Sequence, residues 1–286
     1  MLFKMLGVKN MEIICNICNA KCKFEIGFDN IRLYRCFNCD HCFTDITSID
    51  GLEYYEIEYY EIEHKNWFTN PNIFLFDQIS NFISCKNSEA SVIDVGCGKG
   101  DFLRFLHKKY PALSLTGIDL SPNTPIEGIK FIEGDISNIN FAKQYDFVIS
   151  LAVIEHVKDI KSFINKLYNL CLPNGHIIIM TINDRSILYE VARFLNRFGY
   201  STAFKRLYSK HHLNHFNVSS LNKLVENSGL KEVRTLYHNI PLSAVDIPPT
   251  SALTGYILKS GVWGTFLLGS LTNRTFLQTI ICQKYL

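Results

Sequence analysis

From residue 91 onward short β-rich runs alternate with helical stretches, and the first passage, SVIDVGCGKGDFLRFL, carries an apolar strand through a glycine turn into a helix. SVIDV (91–95), LTGID (115–119), IKFIEGD (129–135), YDFVISL (145–151) and HIIIMTI (176–182) read as strands, and residues 101–110, 158–171 and 217–228 have helical spacing. Such alternation predicts an α/β fold, a mostly parallel sheet covered by helices on both faces. KEVRTLY (231–237) and FLQTIICQK (276–284) add two strands. Residues 183–216 and 238–274 are too long for plain connections and read as lids or substrate-binding inserts. Ahead of the first strand, a helical pattern starting at Asn70-Pro71 gives Ile73, Phe76, Ile79 and Ile83 to an apolar face.

At 286 residues and 47% hydrophobic, the chain can bury a large core and still carry a small module. Its 29 Lys and Arg against 27 Asp and Glu leave a net charge of +2, without the basic face of a nucleic-acid binder. No apolar run is long enough for a membrane-spanning helix. The start, MLFKMLGVKNMEII, is interrupted by Lys4 and Lys9 and reads as a ragged N-terminus rather than a signal peptide, with Met11 as an alternative start. Six of the ten cysteines cluster between Cys15 and Cys42. Without a secretion signal, that clustering points to a metal site in a reducing compartment, so a cytoplasmic protein is expected. The expected divisions are a Cys-rich module at 1–48, a Tyr/Glu-rich linker at 49–70 with YYEIE in tandem (54–58 and 59–63), and an α/β domain at 71–286.

Gly96-x-Gly98-x-Gly100 sits where glycine permits positive φ and lets backbone approach a ligand. The third glycine follows the second by two residues, so the dinucleotide spacing G-x-G-x-x-G fails. Asp94 precedes the loop, where a carboxylate would repel a pyrophosphate but accept from an ammonium group. Asp119 ends the second strand, a position from which a carboxylate can accept from two ribose hydroxyls. Asp135 follows the third strand, where its side chain could take an adenine amino proton while the Ile136 N–H donates to the ring.

DVGCGKG (94–100), GIDLS (117–121), EGD (133–135), YDFVIS (145–150) and LPNGH (172–176) together resemble the motif series of class I S-adenosylmethionine-dependent methyltransferases. VIEHV (153–157) is similar to the ubiquinone-biosynthesis branch. The resemblance covers roughly 70–240 and the final strand. It implies a Rossmann-like seven-stranded sheet with the last strand antiparallel and S-adenosylmethionine across the strand ends. It also implies that Asp119 holds the ribose, Asp135 and Ile136 the adenine, and Gly96, Gly98 and Leu151 the methionine end, with Asp94, Gly100 and Leu120 also among the cofactor-binding residues.

Cys15-x-x-Cys18 and Cys36-x-x-Cys39 form two close pairs whose thiolates suit a closed, structural tetrahedral Zn²⁺ site. Cys22, His41 and Cys42 are surplus, either spectators or alternate ligands. YRCFNCDHCFTDI resembles the N-terminal zinc ribbon of bacterial methyltransferases acting on small molecules and nucleotide-linked deoxysugars, although Asp40-His41-Cys42-Phe43 departs from their usual last knuckle. In those proteins tyrosines near the position of the linker cover the cofactor.

Methyl transfer to a hydroxyl calls for a base near the acceptor proton. His156, just after the fourth strand, and one histidine of the 210–216 cluster, His212 or His215, are the candidates. No Asn/Asp-Pro-Pro-Tyr/Phe follows the fourth strand, which argues against an exocyclic-amine nucleic-acid methyltransferase. The apolar stretch 254–273 reads as core packing or a subunit contact, with a hydrophobic substrate wall or lipid-linked acceptor as the alternative. The leading expectation is methylation of an oxygen on a small polar metabolite, such as a sugar or phosphorylated precursor in polysaccharide biosynthesis. C-methylation of a nucleotide-linked sugar, RNA base methylation and a non-catalytic cofactor-binding module are the alternatives, and a homodimer stays open.

Overall fold

The computed structural model describes residues 12–45, 65–247 and 250–285. The tandem YYEIE segment therefore lies outside the described residues. Strands β1 (Cys22–Phe28), β2 (Ile31–Cys36) and β3 (Cys42–Thr44) form an antiparallel meander. Helices α1 (Lys65–Thr69) and α2 (Ile73–Lys86) lead to β4 (Ser91–Val95), followed by α3 (Asp101–Lys109), β5 (Ser114–Asp119), β6 (Ile129–Glu133) and β7 (Tyr145–Leu151). Then come α4 (Ile160–Leu170), β8 (Cys171–Ile182), α5 (Ile187–Arg197), α6 (Thr202–Leu207) and β9 (Asn214–His215). The described chain closes with α7 (Val218–Asn227), β10 (Leu230–His238), α8 (Ala252–Thr272) and β11 (Leu277–Lys284).

Seven strands make one Rossmann-like sheet in the order β10-β11-β8-β7-β4-β5-β6, all parallel except β11, the last in the chain. Strand order reverses at β4, so the crevice at its carboxyl end is where such sheets hold ligands. The central strands are buried on both faces, which is why HIIIMTI reads as an unbroken apolar run. Ile93, Val148, Ile178 and Ile280 are fully shielded, each contributing about 1.5–3 kcal/mol of burial. Helix α2 begins at Ile73, capped by the Asn72 side chain, so Asn72 and not Asn70 is the true start signal.

The Cys-rich meander does not stand alone. β9, contributed by the first insert, pairs antiparallel with β3 and completes a four-stranded sheet. The Thr44 N–H donates to the Leu213 carbonyl at 2.9 Å, and the Thr44 hydroxyl to that of His212 at 3.0 Å. Beneath this join lies Asp184, fully buried, with Arg35 at 2.8 Å and Arg193 at 3.0 Å; the Tyr208 hydroxyl also donates to it. Burial alone would raise the Asp184 carboxyl, but the two guanidiniums reverse that and hold it below the usual carboxylate range. Arg185 donates to Asp40 through Nε at 2.6 Å and Nη2 at 2.5 Å, a two-pronged clamp across the same join.

Asp184→Asn would leave two buried guanidiniums without their anion, and urea denaturation should show a loss of about 3–5 kcal/mol. Because the folded-state carboxyl is depressed, its contribution should be present above about pH 4 and vanish in stronger acid, where the variant and the parent converge.

Candidate active site

The glycine loop sits at the carboxyl end of β4. Gly96 has φ +75°, and a Cβ there would fall 2.3 Å from Val153 Cγ2, so only glycine lets the loop and the turn after β7 close on each other. Gly98 has φ +53°, with open space where its Cβ would point, toward the crevice. The loop N–H groups are already committed: Gly96 and Cys97 donate to the Ile118 carbonyl, Gly98 to Asp119 Oδ2 at 2.8 Å, and Gly100 to the Cys97 carbonyl. At these four positions the turn presents carboxylates and carbonyls where a dinucleotide site would present donors.

Gly96, Gly98, Asp119, Leu120, Asp135, Ile136 and Leu151 all line one crevice, a cavity of about 1600 Å³. The Asp119 carboxylate also accepts from the Ser121 N–H at 3.0 Å, and Asp135 accepts from the Ser137 N–H at 2.8 Å, so both are aimed by local backbone. Each oxygen keeps acceptor capacity toward a ligand. Two of the expected residues stand behind this wall. Gly100 packs against the Phe131 ring, and Asp94 is only 2% exposed. Burial, aided by the nearby Asp119 charge, pushes the Asp94 carboxyl up to about 8, and its Oδ1 has no hydrogen-bond partner. An orphaned acid at that point suits a nearby cation.

Across the crevice, β7 ends in Ala152 with φ +58°, an uncommon conformation for a residue with a side chain. That bend delivers a 3-10 turn at Ile154–His156, bringing Glu155 and His156 to the lining. His156 Nδ1–H donates to the His211 carbonyl at 2.8 Å, which makes Nε2 the basic nitrogen of the neutral ring. The His212 ring lies 4.9 Å away. Glu155, 2% exposed, accepts from the Thr181 hydroxyl at 2.8 Å, and burial pushes its carboxyl up to about 7. Sequence reasoning gave Glu155 no role, because its burial depends on the Leu213 N–H reaching its carbonyl from 58 residues downstream. His215 is not in the lining: it is fully buried in β9, its ring 4.6 Å from Tyr208, and burial pulls it down to about 4. Of the two alternatives in the histidine cluster, the structure brings His212 to the crevice.

Cys15, Cys18, Cys36 and Cys39 place their sulfurs within 4.8 Å of one another, with close pairs at 3.4 and 3.6 Å. Tetrahedral zinc with Zn–S near 2.3 Å needs sulfurs about 3.8 Å apart, so the four thiolates fit a closed zinc site with little movement. N–H groups of Ile17, Asn38 and Cys39 point at Cys15 and Cys36 sulfurs, as thiolate ligands require. Cys22, His41 and Cys42 stand outside the group.

Residues 72–235 match the family described as methyltransferase domain, more than half of the chain, and the chain belongs to that family. It is similar to the malonyl-[acyl-carrier protein] O-methyltransferase of Calditerrivibrio nitroreducens, 32% identical over 123 residues, 43% of this chain and 49% of that protein. It is also similar to the ubiquinone biosynthesis O-methyltransferase of Rickettsia conorii, 36% identical over 124 residues, 40% of this chain and 41% of that protein. The chain thus spans half or less of the length of these curated relatives. The phosphoethanolamine N-methyltransferase 2 of Haemonchus contortus, solved in complex with S-adenosyl-L-methionine, shares the fold at TM-score 0.53 and 15% identity, over 79% of this chain and 56% of that one.

Metal analysis of the purified chain should find a single zinc ion, lost in Cys36→Ser. A chelator should release it together with the order of the β3–β9 join, read as loss of hydrogen-exchange protection at Thr44 and Asn214.

Proposed function

We propose that this member of the methyltransferase-domain family transfers the methyl group of S-adenosylmethionine to an oxygen of a small-molecule acceptor. The observation that carries the reading is the crevice floor: three carboxylates around a glycine loop with its donors spent, a surroundings suited to a cationic, phosphate-free cofactor. When bound, S-adenosylmethionine supplies a sulfonium-activated methyl carbon. Asp119 accepts from the ribose hydroxyls, Asp135 and Ile136 hold the adenine edge, and Leu120 covers it. Gly96, Gly98 and Leu151 flank the methionine end, with the Asp94 charge beneath. Gly100 keeps a structural part, holding the start of α3 against β6.

On the acceptor side His156 takes the hydroxyl proton through Nε2, held in that tautomer by the His211 carbonyl. Glu155, its buried carboxylate anchored by the Thr181 hydroxyl, holds the turn that carries His156. The rest of the catalytic effect is placement of acceptor oxygen, methyl carbon and sulfur in line. His215, buried in the join, has a positioning part only. Lys158 and Arg206 at the rim support an acceptor with an anionic group, in keeping with a phosphorylated sugar or glycan precursor. Leu258, Val262 and Phe266 of α8 form an apolar wall that such a small polar molecule would leave unused, so the acceptor carries an apolar body as well.

S-adenosylhomocysteine release by zinc-loaded protein tests the reading. Asp119→Ala should weaken cofactor binding roughly tenfold to a hundredfold. His156→Ala should lower turnover about 10²–10⁴-fold with cofactor affinity intact. Turnover unaffected by His156→Ala would remove the histidine from the mechanism.

Because a cation favours the ionised form of Asp94, cofactor binding below pH 8 must expel its proton. Affinity should therefore rise with pH by up to about tenfold per unit and level off above that carboxyl's titration. Calorimetry in buffers of different ionisation enthalpy reads the proton release, and Asp94→Asn should abolish it.

A further inference from the structure

Helix α8 is apolar on every side and carries no acid; Lys259 is its single charge. A helix of this kind is normally buried. Here only Phe266 and Gly269 are, so core packing and the crevice wall together leave most of the helix surface uncovered. Leu258, Val262 and Phe266 form one stripe that lines the crevice. The stripe of Leu253, Ile257, Leu268 and Leu271 and that of Tyr256, Trp263 and Leu267 face outward, with Tyr256 73% and Leu271 75% exposed. No described residue covers them. Helix α5 packs against α8 and extends the surface with Val191, Phe194 and Phe198, also exposed. Continuous apolar surface of this extent marks an interaction site.

The charges around it are one-sided. Among the described residues, the exposed charges on α5, α6 and α8 that stand outside ion pairs are basic: Arg197, Arg206 and Lys259. Lys205 reaches Asp29 at 2.9 Å, and Glu190 on α5, its side chain as exposed as that of Lys205, is paired with Arg274. A second copy joined about a two-fold axis would bring this basic rim against itself, the one exposed acid on these helices, Glu190, being already paired with Arg274. An anionic lipid surface supplies the missing charge and the missing apolar cover together. Tyr256 and Trp263 are the side chains that settle at the headgroup level. No helix among the described residues is long and apolar enough to cross a membrane. At about 32 Å, α8 would lie along the surface.

We propose that the α5–α8 face is a seat for an anionic lipid bilayer surface, with α8 lying in the interface and its inner stripe opening into the crevice. An acceptor with an apolar tail would then pass from bilayer to crevice along one helix without crossing water. The seat stands independently of the methyl-transfer reading, since binding to vesicles is measured without turnover.

The test is sedimentation of the full, zinc-loaded chain with vesicles of phosphatidylcholine and phosphatidylglycerol, against phosphatidylcholine alone. Binding to the anionic vesicles, weakened by salt, is expected, with a blue shift of tryptophan emission that disappears in Trp263→Phe. Replacing Leu253, Ile257 and Leu271 together by Ser should lower partitioning about tenfold or more, with zinc content and cofactor affinity unchanged. Protein that stays in the supernatant with anionic vesicles overturns the proposal. So does a chain whose mass by light scattering is that of a dimer, returned to monomer by the triple substitution, since a second copy would then own the face.

Discussion

One buried carboxylate holds the two sheets together. Asp184 lies at the end of β8, where the large sheet gives way to the first insert, and Arg35 reaches it from the Cys-rich meander while Arg193 reaches it from α5. A charge removed from water is tolerable only when paired and hydrogen-bonded, and here both partners and the Tyr208 hydroxyl meet the same side chain. Because the arginines arrive from separate segments, the carboxylate sets how the meander, α5 and the strand end sit. The Arg185 clamp on Asp40 and the β3–β9 pairing follow from that placement. So does the crevice: Leu213 binds the Glu155 carbonyl, and the carbonyl of His211 orients His156. The Cys-rich meander thus shapes one wall of the crevice from behind, with none of its described residues in the lining.

Electrostatics divide the crevice into two halves. The floor under the glycine loop is acidic, and its most buried member, Asp94, is the hardest to ionise without a cation beside it. The opposite half is bounded by His156, His212, Lys158 and Arg206 together with Glu155, Asp159 and Asp246, with an apolar wall beyond. The cationic cofactor would meet the acidic floor, and the proposed acceptor the mixed, partly apolar half.

What was legible in the sequence was what local spacing encodes. Period-two and period-3.6 patterning located the strands of the large sheet within a few residues, and the acids ending β4, β5 and following β6 stood out because each occupies a strand terminus. The four cysteines were legible because two C-x-x-C pairs are self-contained geometry. Long-range pairing was not. β9 is two residues long, Asn214–His215, and nothing in its neighbourhood distinguishes it from loop; its partner lies in β3, far back in the chain. His215 was expected near the acceptor for that reason, and Glu155 was overlooked because its burial comes from the same distant segment. The fate of 254–273 was hidden too, since an apolar helix has the same sequence whether protein or something else covers it.

The two-residue strand β9 also orders events in time. The cysteine pairs lie near the amino end and can close on metal as soon as they leave the ribosome, yet the edge of β3 stays unpaired until Asn214 and His215 follow. During that interval the early module is a metal-loaded hairpin with an open flank and a lone buried-type arginine, Arg35, waiting for its anion. The chain through β8 delivers Asp184, and the next stretch delivers the missing strand, before β10 and β11 complete the large sheet. The small module is thus closed by chain that follows β8, ahead of the last two strands of the large sheet.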